Sequence, residues 1–416
     1  MPGAPATLSI PGDKSISHRC LILATQASGE SRFTNLNRGQ DVAAVARALA
    51  RCGLPPSEDA EVRLLGGRLT DPPVDLDLGN SGTGVRLMAG LLAGSGVRAT
   101  LTGDASLGRR PMDRIVTPLR AMGADVRAAA GGRLPLAIAP ARLRPLDYAP
   151  PVPSAQVKSC LLLAGLAGGV RVTIREAIPT RDHTERLLTA MGARLRVAEG
   201  VAALESGSAL RPLRMRVPGD FSSAAFFLVL AALVPGLELE LTGVGVNPGR
   251  TGLLDVLSEM GADVRVSPLH DEGGEPVADL RAAYAGRLRA VDVPPALAPR
   301  LIDEVPILAV AAATAEGTTR LTGLGELRFK ESDRLRSIAA GLQAVGGNVR
   351  ELEDGLEIRG SRGPFEGSID TRLDHRIAMA FAVLGHRPGG RIRLSESASI
   401  ATSFPEFPDL LERALP

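Results

Sequence analysis

A chain of 416 residues exceeds one ordinary core, so two or three domains are expected. Its 44% hydrophobic and 23% charged content describes a soluble globular protein. A formal charge of +2 gives no electrostatic reason to invoke nucleic acid or an anionic membrane, and with 3% aromatics and no Trp there are few platforms for stacking bases. Cys20, Cys52 and Cys160 lie far apart without CxxC or HExxH spacing, which argues against a zinc site or a disulfide framework. The N-terminus lacks the basic start and apolar stretch of a secretory signal, and the longest apolar runs, such as 224–234, are too short to span a bilayer. A cytoplasmic enzyme or binding protein is the expected class. Among 48 basic residues only Lys14, Lys158 and Lys330 are lysine. The arginine excess is a composition bias, but it makes each lysine informative, because a desolvated lysine can release its proton and an arginine cannot.

In chain order, one pattern recurs six times. A short β-branched strand leads to a polar loop, a helix, a glycine and a second strand. Thr34, Thr102, Thr173, Thr242, Thr322 and Ser395 mark the copies, with gaps of 68, 71, 69, 80 and 73 residues. In the fourth copy Leu253, Val256, Leu257 and Met260 share one helical face, Gly261 suits a left-handed cap, and "ADVRV" alternates as a half-buried strand. In the fifth, Leu335, Ile338, Ala339 and Leu342 repeat the face. Pro118 weakens the helix of the second copy. The pattern predicts an α/β protein of six repeated units grouped into two domains.

Eight residues after the marker threonines stand Arg110, Arg181, Arg250 and Lys330, with Arg38 similarly placed in the shorter first loop. A cation before a helix N-terminus opposes the helix dipole, at roughly 0.3–1 kcal/mol each. Four such positions suggest an anion held among them, to which backbone N–H groups add donors.

Six motifs carry candidate chemistry. "GDKSISHR" offers Lys14 and Ser15 at a helix start and Arg19 one turn on, suited to phosphate or carboxylate. "DLDLGNSGTGVRLMAGLLAG" places Gly79, Gly82 and Gly84 in a turn into an apolar helix, where glycine admits a ligand close to the backbone. It is neither a Walker loop nor GxGxxG. "VPSAQVKS" puts Ser154 and Gln156 at another helix start, although capping alone would explain Ser154. Asp303 and Glu304 precede an apolar helix, as N-cap carboxylates or as a partly buried general base. "RFKESDRLRS" gathers Lys330, Glu331, Asp333 and Arg334, and "RLDHRIAMAFAVLG" adds Asp374, His375 and Arg376.

Taken in order, KSISHR, LGNSGTGVR, GRRPMD, SAQVKS, RDHTE, IDEVPILAV, KESDR, DHRIAM and a late SFPEF resemble the 5-enolpyruvylshikimate-3-phosphate synthase family over about 390 residues. The resemblance implies transfer of the enolpyruvyl group of phosphoenolpyruvate to the 5-hydroxyl of shikimate 3-phosphate, in the pathway to chorismate and aromatic amino acids. It implies the two-domain enolpyruvyl transferase fold, an inside-out α/β barrel with three repeats per domain and a cleft that closes on the ligands. The N-terminal domain would span 13–220, and 1–12 with 221–416 would form the C-terminal one.

By the same resemblance Lys14, Ser15, Arg19, Ser154, Gln156, Arg181, Asp303 and Lys330 would bind shikimate 3-phosphate. Lys14, Asn80, Gly82, Arg110, Gln156, Arg334 and Arg376 would hold phosphoenolpyruvate. Asp303 would be the base at the 5-hydroxyl and Glu331 the acid-base group at the methylene, with Lys14 between the phosphates. No cofactor or metal is implied, the expected state is a monomer, and glyphosate, a phosphoenolpyruvate mimic, would bind where Gly82 leaves space.

Departures from the family pattern are local. Ala155 stands where many relatives have a second serine, and Thr402 and Ser403 replace a late lysine. Glu326 stands where some relatives have asparagine, and Arg250 has no family role. Two other readings remain. A sister enolpyruvyl transferase acts on a UDP-amino sugar through a reactive cysteine, but no cysteine lies near GRRPMD and Ser15 stands where it has asparagine. A repeat protein that only binds an anion would not need Asp303, Glu331 and both site lysines.

Overall fold

The computed structural model describes residues 5–198 and 200–415. The chain divides into two units. The first comprises 12–217 with 271–275, and the second comprises the chain up to 11 together with 218–270 and 276 onward. Residues 1–4, part of the segment expected in the C-terminal domain, lie outside the described residues. Segment 271–275, which the sequence reading places with the C-terminal half, groups with the first unit. There His183 Nδ1 meets Glu275 at 2.8 Å and Arg186 donates to the Gly274 carbonyl at 2.8 Å.

Among the described residues six sheets correspond to the six copies. In the second copy Leu76–Asp77 runs parallel to Ala99–Thr102, followed by Arg133–Ala139 and Asp125–Ala129, both antiparallel. Leu146–Tyr148, Val172–Arg175, Val201–Leu204 and Leu195–Ala198 repeat this order. So do Asp292–Val293, Thr318–Leu321, Leu356–Arg359 and Asn348–Glu351. The parallel partners, two to five residues long, carry too little alternation to be read from sequence. Two of them come from far along the chain: Arg214–Arg216 pairs with Glu30–Thr34, and Ala6–Ser9 pairs with Glu238–Gly245. That second pairing is why the N-terminal strand belongs with the second unit.

Each unit has its own apolar core. Helices of two kinds alternate along the chain. Gln40–Arg51, Asp113–Ala121, His183–Ala190, Gly252–Glu259 and Arg334–Ala344 bury one face. The expected cap at Gly261 is present, with φ +83°. Pro118 lies inside Asp113–Ala121 without ending it, because Ile115, Val116 and Leu119 stay buried around it. In contrast Lys14–Ala24, Gly82–Ser95 and Ala155–Ala167 are buried nearly all round, as are Phe221–Leu233, Val305–Thr314 and His375–His386. A helix that is apolar on every side belongs in an interior. Each of these six begins at one of the polar motifs, apart from Phe221–Leu233, which begins at the expected domain boundary after residue 220.

Glycine lets two of the interior helices touch. A Cβ on Gly90 would fall on the Cys160 carbonyl oxygen, and one on Gly94 would stand 2.5 Å from the Ala164 oxygen. We therefore expect Gly90→Ala to overpack this crossing and cost roughly 1–3 kcal/mol, read as a lowered urea midpoint, while Gly96→Ala, at an open position with φ +65°, perturbs only its helix cap.

Candidate active site

In the first unit three interior helices bring their starts together. Asp13 caps the first by accepting from Ile16 N at 2.8 Å, and Lys14 Nζ pairs with Asp41 at 2.9 Å. His18 lies one turn later, fully buried. Its Nδ1 faces the Lys14 carbonyl at 2.7 Å and its Nε2 faces Ser81 Oγ at 3.0 Å. Ser81 in turn caps Gly82–Ser95 by accepting from Gly84 N. The carbonyl requires Nδ1 to donate, so Nε2 accepts from Ser81 and the ring is neutral. Burial pushes the His18 pKa down to about 4, against the pull of Asp41.

Arg110 and Asn80 form a second contact. Arg110 Nη2 donates to Asn80 Oδ1 at 2.5 Å, and Asn80 Nδ2 donates to Asp104 at 2.7 Å. Gly82 lies against the same guanidinium: an added Cβ would come within 2.8 Å of Arg110 Nη1 and 3.1 Å of Arg86 Nη1. Arg86 was not singled out from the sequence. It donates to Gln156 Oε1 at 2.7 Å and to the Gly82 carbonyl at 3.1 Å, while Gln156 Nε2 donates to Thr83 at 2.9 Å. Its place four residues after Gly82, on the face of that helix start, was the available signal. Ser154 accepts from Val157 N at 3.4 Å, so it does cap its helix, as the simpler reading expected.

Arg19 is 3% exposed and donates to Thr184 Oγ1, Ser159 Oγ and the Ser15 carbonyl, at 2.7, 2.8 and 2.8 Å. Burial lowers its pKa to about 10; Glu185 and Asp13 oppose that, and nearby Arg181 adds to it, so Arg19 stays charged at neutral pH. Lys158 is 2% exposed and pairs with Glu176 at 2.6 Å and Glu185 at 2.7 Å. Glu176 also binds Thr180, immediately before Arg181. The ion pairs thus fasten the loop that presents Arg181, and Lys158 has the contacts of a structural residue.

In the second unit the three interior helices also start side by side. Asp303 is 8% exposed, and Glu304, which stands at the N-cap of the helix that follows, makes no side-chain cap bond, contrary to the simpler reading. Asp303 Oδ1 instead faces Lys330 Nζ at 3.3 Å and Arg334 Nη1 at 3.6 Å. Its backbone oxygen accepts from Arg376 Nη1 at 3.0 Å. Arg334, 1% exposed, also binds Asp374 at 2.9 Å and Glu331 at 2.5 Å. Burial works against its charge, but Asp374, Glu331 and Asp303 outweigh it and hold the guanidinium firmly protonated. Asp374 caps its helix by accepting from Arg376 N at 3.0 Å. The two residues before it, Arg372 and Leu373, have φ of 52° and 57°. That left-handed pair is costly for side chains other than glycine and aims the Asp374–Arg376 corner. Thr402, at the position of the missing late lysine, lies 3.3 Å from His375 Nδ1.

Within each unit, then, cations and carboxylates converge at starts of buried helices, an arrangement suited to phosphate and carboxylate groups. Among the described residues no group of three or more His, Cys, Asp or Glu side chains could hold a metal ion, and no helix is long and apolar enough to cross a membrane.

Solved structures place the fold among the enolpyruvyl transferases. EPSP synthase from Acinetobacter baumannii superposes with a TM-score of 0.85 at 40% identity, covering 100% of this chain and 97% of that one. The enolpyruvyl transferase NikO from Streptomyces tendae shares the fold at 19% identity, with a TM-score of 0.72 over 98% of this chain and 93% of that one. The family model of EPSP synthase (3-phosphoshikimate 1-carboxyvinyltransferase) matches residues 4–411. The 3-phosphoshikimate 1-carboxyvinyltransferase of Parvibaculum lavamentivorans is 49% identical, over 97% of this chain and 92% of its own length. That of Pelotomaculum thermopropionicum is 47% identical, over 99% and 97%. The chain belongs to the EPSP synthase family.

The buried His18 generates a prediction. Its folded pKa lies below the unfolded value, so its neutral form contributes stability above about pH 6.5 that is lost as pH falls toward 4. The full effect is of order 3 kcal/mol. Between pH 6.5 and 4 the unfolding free energy of His18→Asn should therefore fall less steeply than that of the wild type, although the variant starts less stable at pH 7.5.

Proposed function

We propose that this chain runs its family's reaction with the residues gathered at these helix starts. The enolpyruvyl group of phosphoenolpyruvate passes to the 5-hydroxyl of shikimate 3-phosphate and phosphate leaves, a step of the shikimate pathway to aromatic amino acids. Shikimate 3-phosphate is assigned to Lys14, Ser15, Arg19, Ser154, Gln156 and Arg181 of the first unit and to Asp303 and Lys330 of the second. Phosphoenolpyruvate is assigned to Lys14, Asn80, Gly82, Arg110 and Gln156, and to Arg334 and Arg376. Arg86 joins them as the residue that orients Gln156. We also assign the three repeats of each unit to one family domain.

The observation that carries this reading is Asp303, a buried carboxylate whose Oδ1 faces two cations. Substrate anions compete for those cations. Once phosphate and carboxylate groups draw on Lys330 and Arg334, Asp303 Oδ1 is released to take the 5-hydroxyl proton. The same competition loosens Glu331 from Arg334, which favours a protonated Glu331 able to deliver a proton to the methylene. Protonation makes C2 electrophilic, the hydroxyl oxygen attacks, and the tetrahedral intermediate then expels phosphate as its methyl group returns a proton to Glu331, which restores the enolpyruvyl double bond. Arginine and lysine groups already ordered around the reacting atoms stabilise the developing charge without reorganisation.

The UDP-amino sugar reading is less well supported. It needs a reactive cysteine, whereas all three are buried and free. Burial pushes the Cys160 thiol up to about 12 and that of Cys52 up to about 11, and it raises Cys20 as well. Free buried thiols also suit a reducing compartment, and we propose a monomer working in the cytoplasm.

Phosphate release from phosphoenolpyruvate should require shikimate 3-phosphate, and release with a UDP-amino sugar alone would support the sister family instead. Lys14→Ala and Asp303→Ala should each lower kcat/KM by at least about 100-fold. Glyphosate should inhibit the wild type, and Gly82→Ala, which crowds Arg110, should raise the inhibitor concentration needed. Inhibition of that variant at wild-type concentrations would count against the assigned phosphoenolpyruvate subsite.

A further inference from the structure

Arg250 fills the cationic slot of the fourth repeat, yet it is 3% exposed. It lies beneath the start of Val305–Thr314. Its Nη2 donates to Ser222 Oγ at 2.5 Å, and Ser222 Oγ donates to Glu304 Oε1. Asp220 and Glu304 stand 3.7 and 3.8 Å from the same nitrogen. Its Nη1 faces Asp303 Oδ2 at 3.5 Å. The two oxygens of Asp303 thus face different kinds of cation. Oδ1 faces Lys330 and Arg334, which the reading above assigns to substrates. Oδ2 faces a guanidinium enclosed by protein groups, which no substrate anion can draw away.

We propose that Arg250 is the positioning residue of the base, holding Asp303 Oδ2 so that Oδ1 is the oxygen presented to the substrate hydroxyl. The proposal rests on the reading of Asp303 as that base. Without the anchor, loss of Lys330 and Arg334 to the substrates would leave the carboxylate free to rotate and without a counter-charge. Four carboxylates surround this corner besides Asp303. Asp220 and Glu304 share Arg250, Glu331 and Asp374 share Arg334, and Arg376 Nη1 stands 3.9 Å from Glu304. Removing one cation from such a group raises the proton affinity of its carboxylates. Arg250 therefore bears on the pH at which the base becomes competent as well as on its orientation.

The test compares Arg250→Met, Arg250→Lys and Asp303→Asn as full-length protein, with phosphate release followed from pH 5 to 9. Thermal melting monitors the folded fraction. For Arg250→Met we expect kcat to fall at least about tenfold, with KM for both substrates within about threefold. The acid limb of the kcat profile should move up by about half a pH unit or more. Arg250→Lys, which keeps the charge at a shorter reach, should recover most of the limb's position and part of the rate. If Arg250→Met does not fold, Arg250→Lys and Ser222→Ala, which removes the hydroxyl orienting Arg250, decide the matter through a smaller kcat loss at unchanged KM. An Arg250 variant that loses activity only in proportion to its folded fraction, with the acid limb unmoved, overturns the proposal. Asp303→Asn separates the two levels. If it keeps more than about a tenth of the wild-type rate, the base reading fails and takes this inference with it. If it is inactive while the Arg250 variants behave as wild type, only the role of Arg250 is lost.

Discussion

A site built for two polyanions must keep its own cations close together when no polyanion is present. Within each unit of this chain the cations at the buried helix starts have internal acceptors. Lys14 has Asp41, Arg110 has Asn80, Arg334 has Asp374, and Lys330 has Asp303. Burial of an unpaired cation is prohibitive, whereas burial of a paired and hydrogen-bonded one is tolerated. The internal acceptors are also weaker partners than a doubly charged phosphate with several oxygens. On the proposed reading, substrate binding is an exchange of counter-ions, and the groups it displaces, Asp303 and Glu331, are those whose protonation the proposed chemistry uses.

The repeat architecture supplies the places where that exchange occurs. Each unit contributes three buried helices, and a buried helix presents its N-terminal N–H groups only at its start. The charged residues of these helices, Lys14, Arg19, Arg86, Lys158 and Arg376, lie within the first two turns, and most of the remaining length is buried. Glycines at the crossing of Gly82–Ser95 with Ala155–Ala167 bring the backbones close. That closeness lets Arg86 at one start reach Gln156 at the other. Packing and chemistry are thereby coupled: a methyl group far down the helix alters the spacing of two side chains at its beginning.

Much of this was legible in the chain itself. Periodicity and spacing exposed the six copies, the outer amphipathic helices, and the recurring cation before them. The late motifs DEVP, KES and DHR marked the segments whose Asp303, Lys330, Arg334 and Arg376 meet in the second unit. Less legible were Arg86 and the Asp220–Ser222 corner, since both lie in stretches whose apolar neighbours dominate the pattern. Sequence also left Lys158 and Arg250 without roles. Both are buried cations whose partners, Glu176 with Glu185 and Asp220 with Asp303, stand between 18 and 53 residues away along the chain. Nothing local specifies such pairs.

By itself, the order of residues determined the repeated strand–loop–helix–strand pattern, how often the unit recurs, and which residues have the chemistry for phosphate and carboxylate. These are properties of neighbours along the chain, where backbone periodicity dictates which side chains share a face. Only the tertiary structure decided that residues 6–9 complete a sheet with 238–245, that Glu304 makes no side-chain cap, and that the two oxygens of Asp303 face different cations. Those outcomes depend on which segments meet when the apolar helices are buried, a matter of packing across hundreds of residues that no local pattern contains.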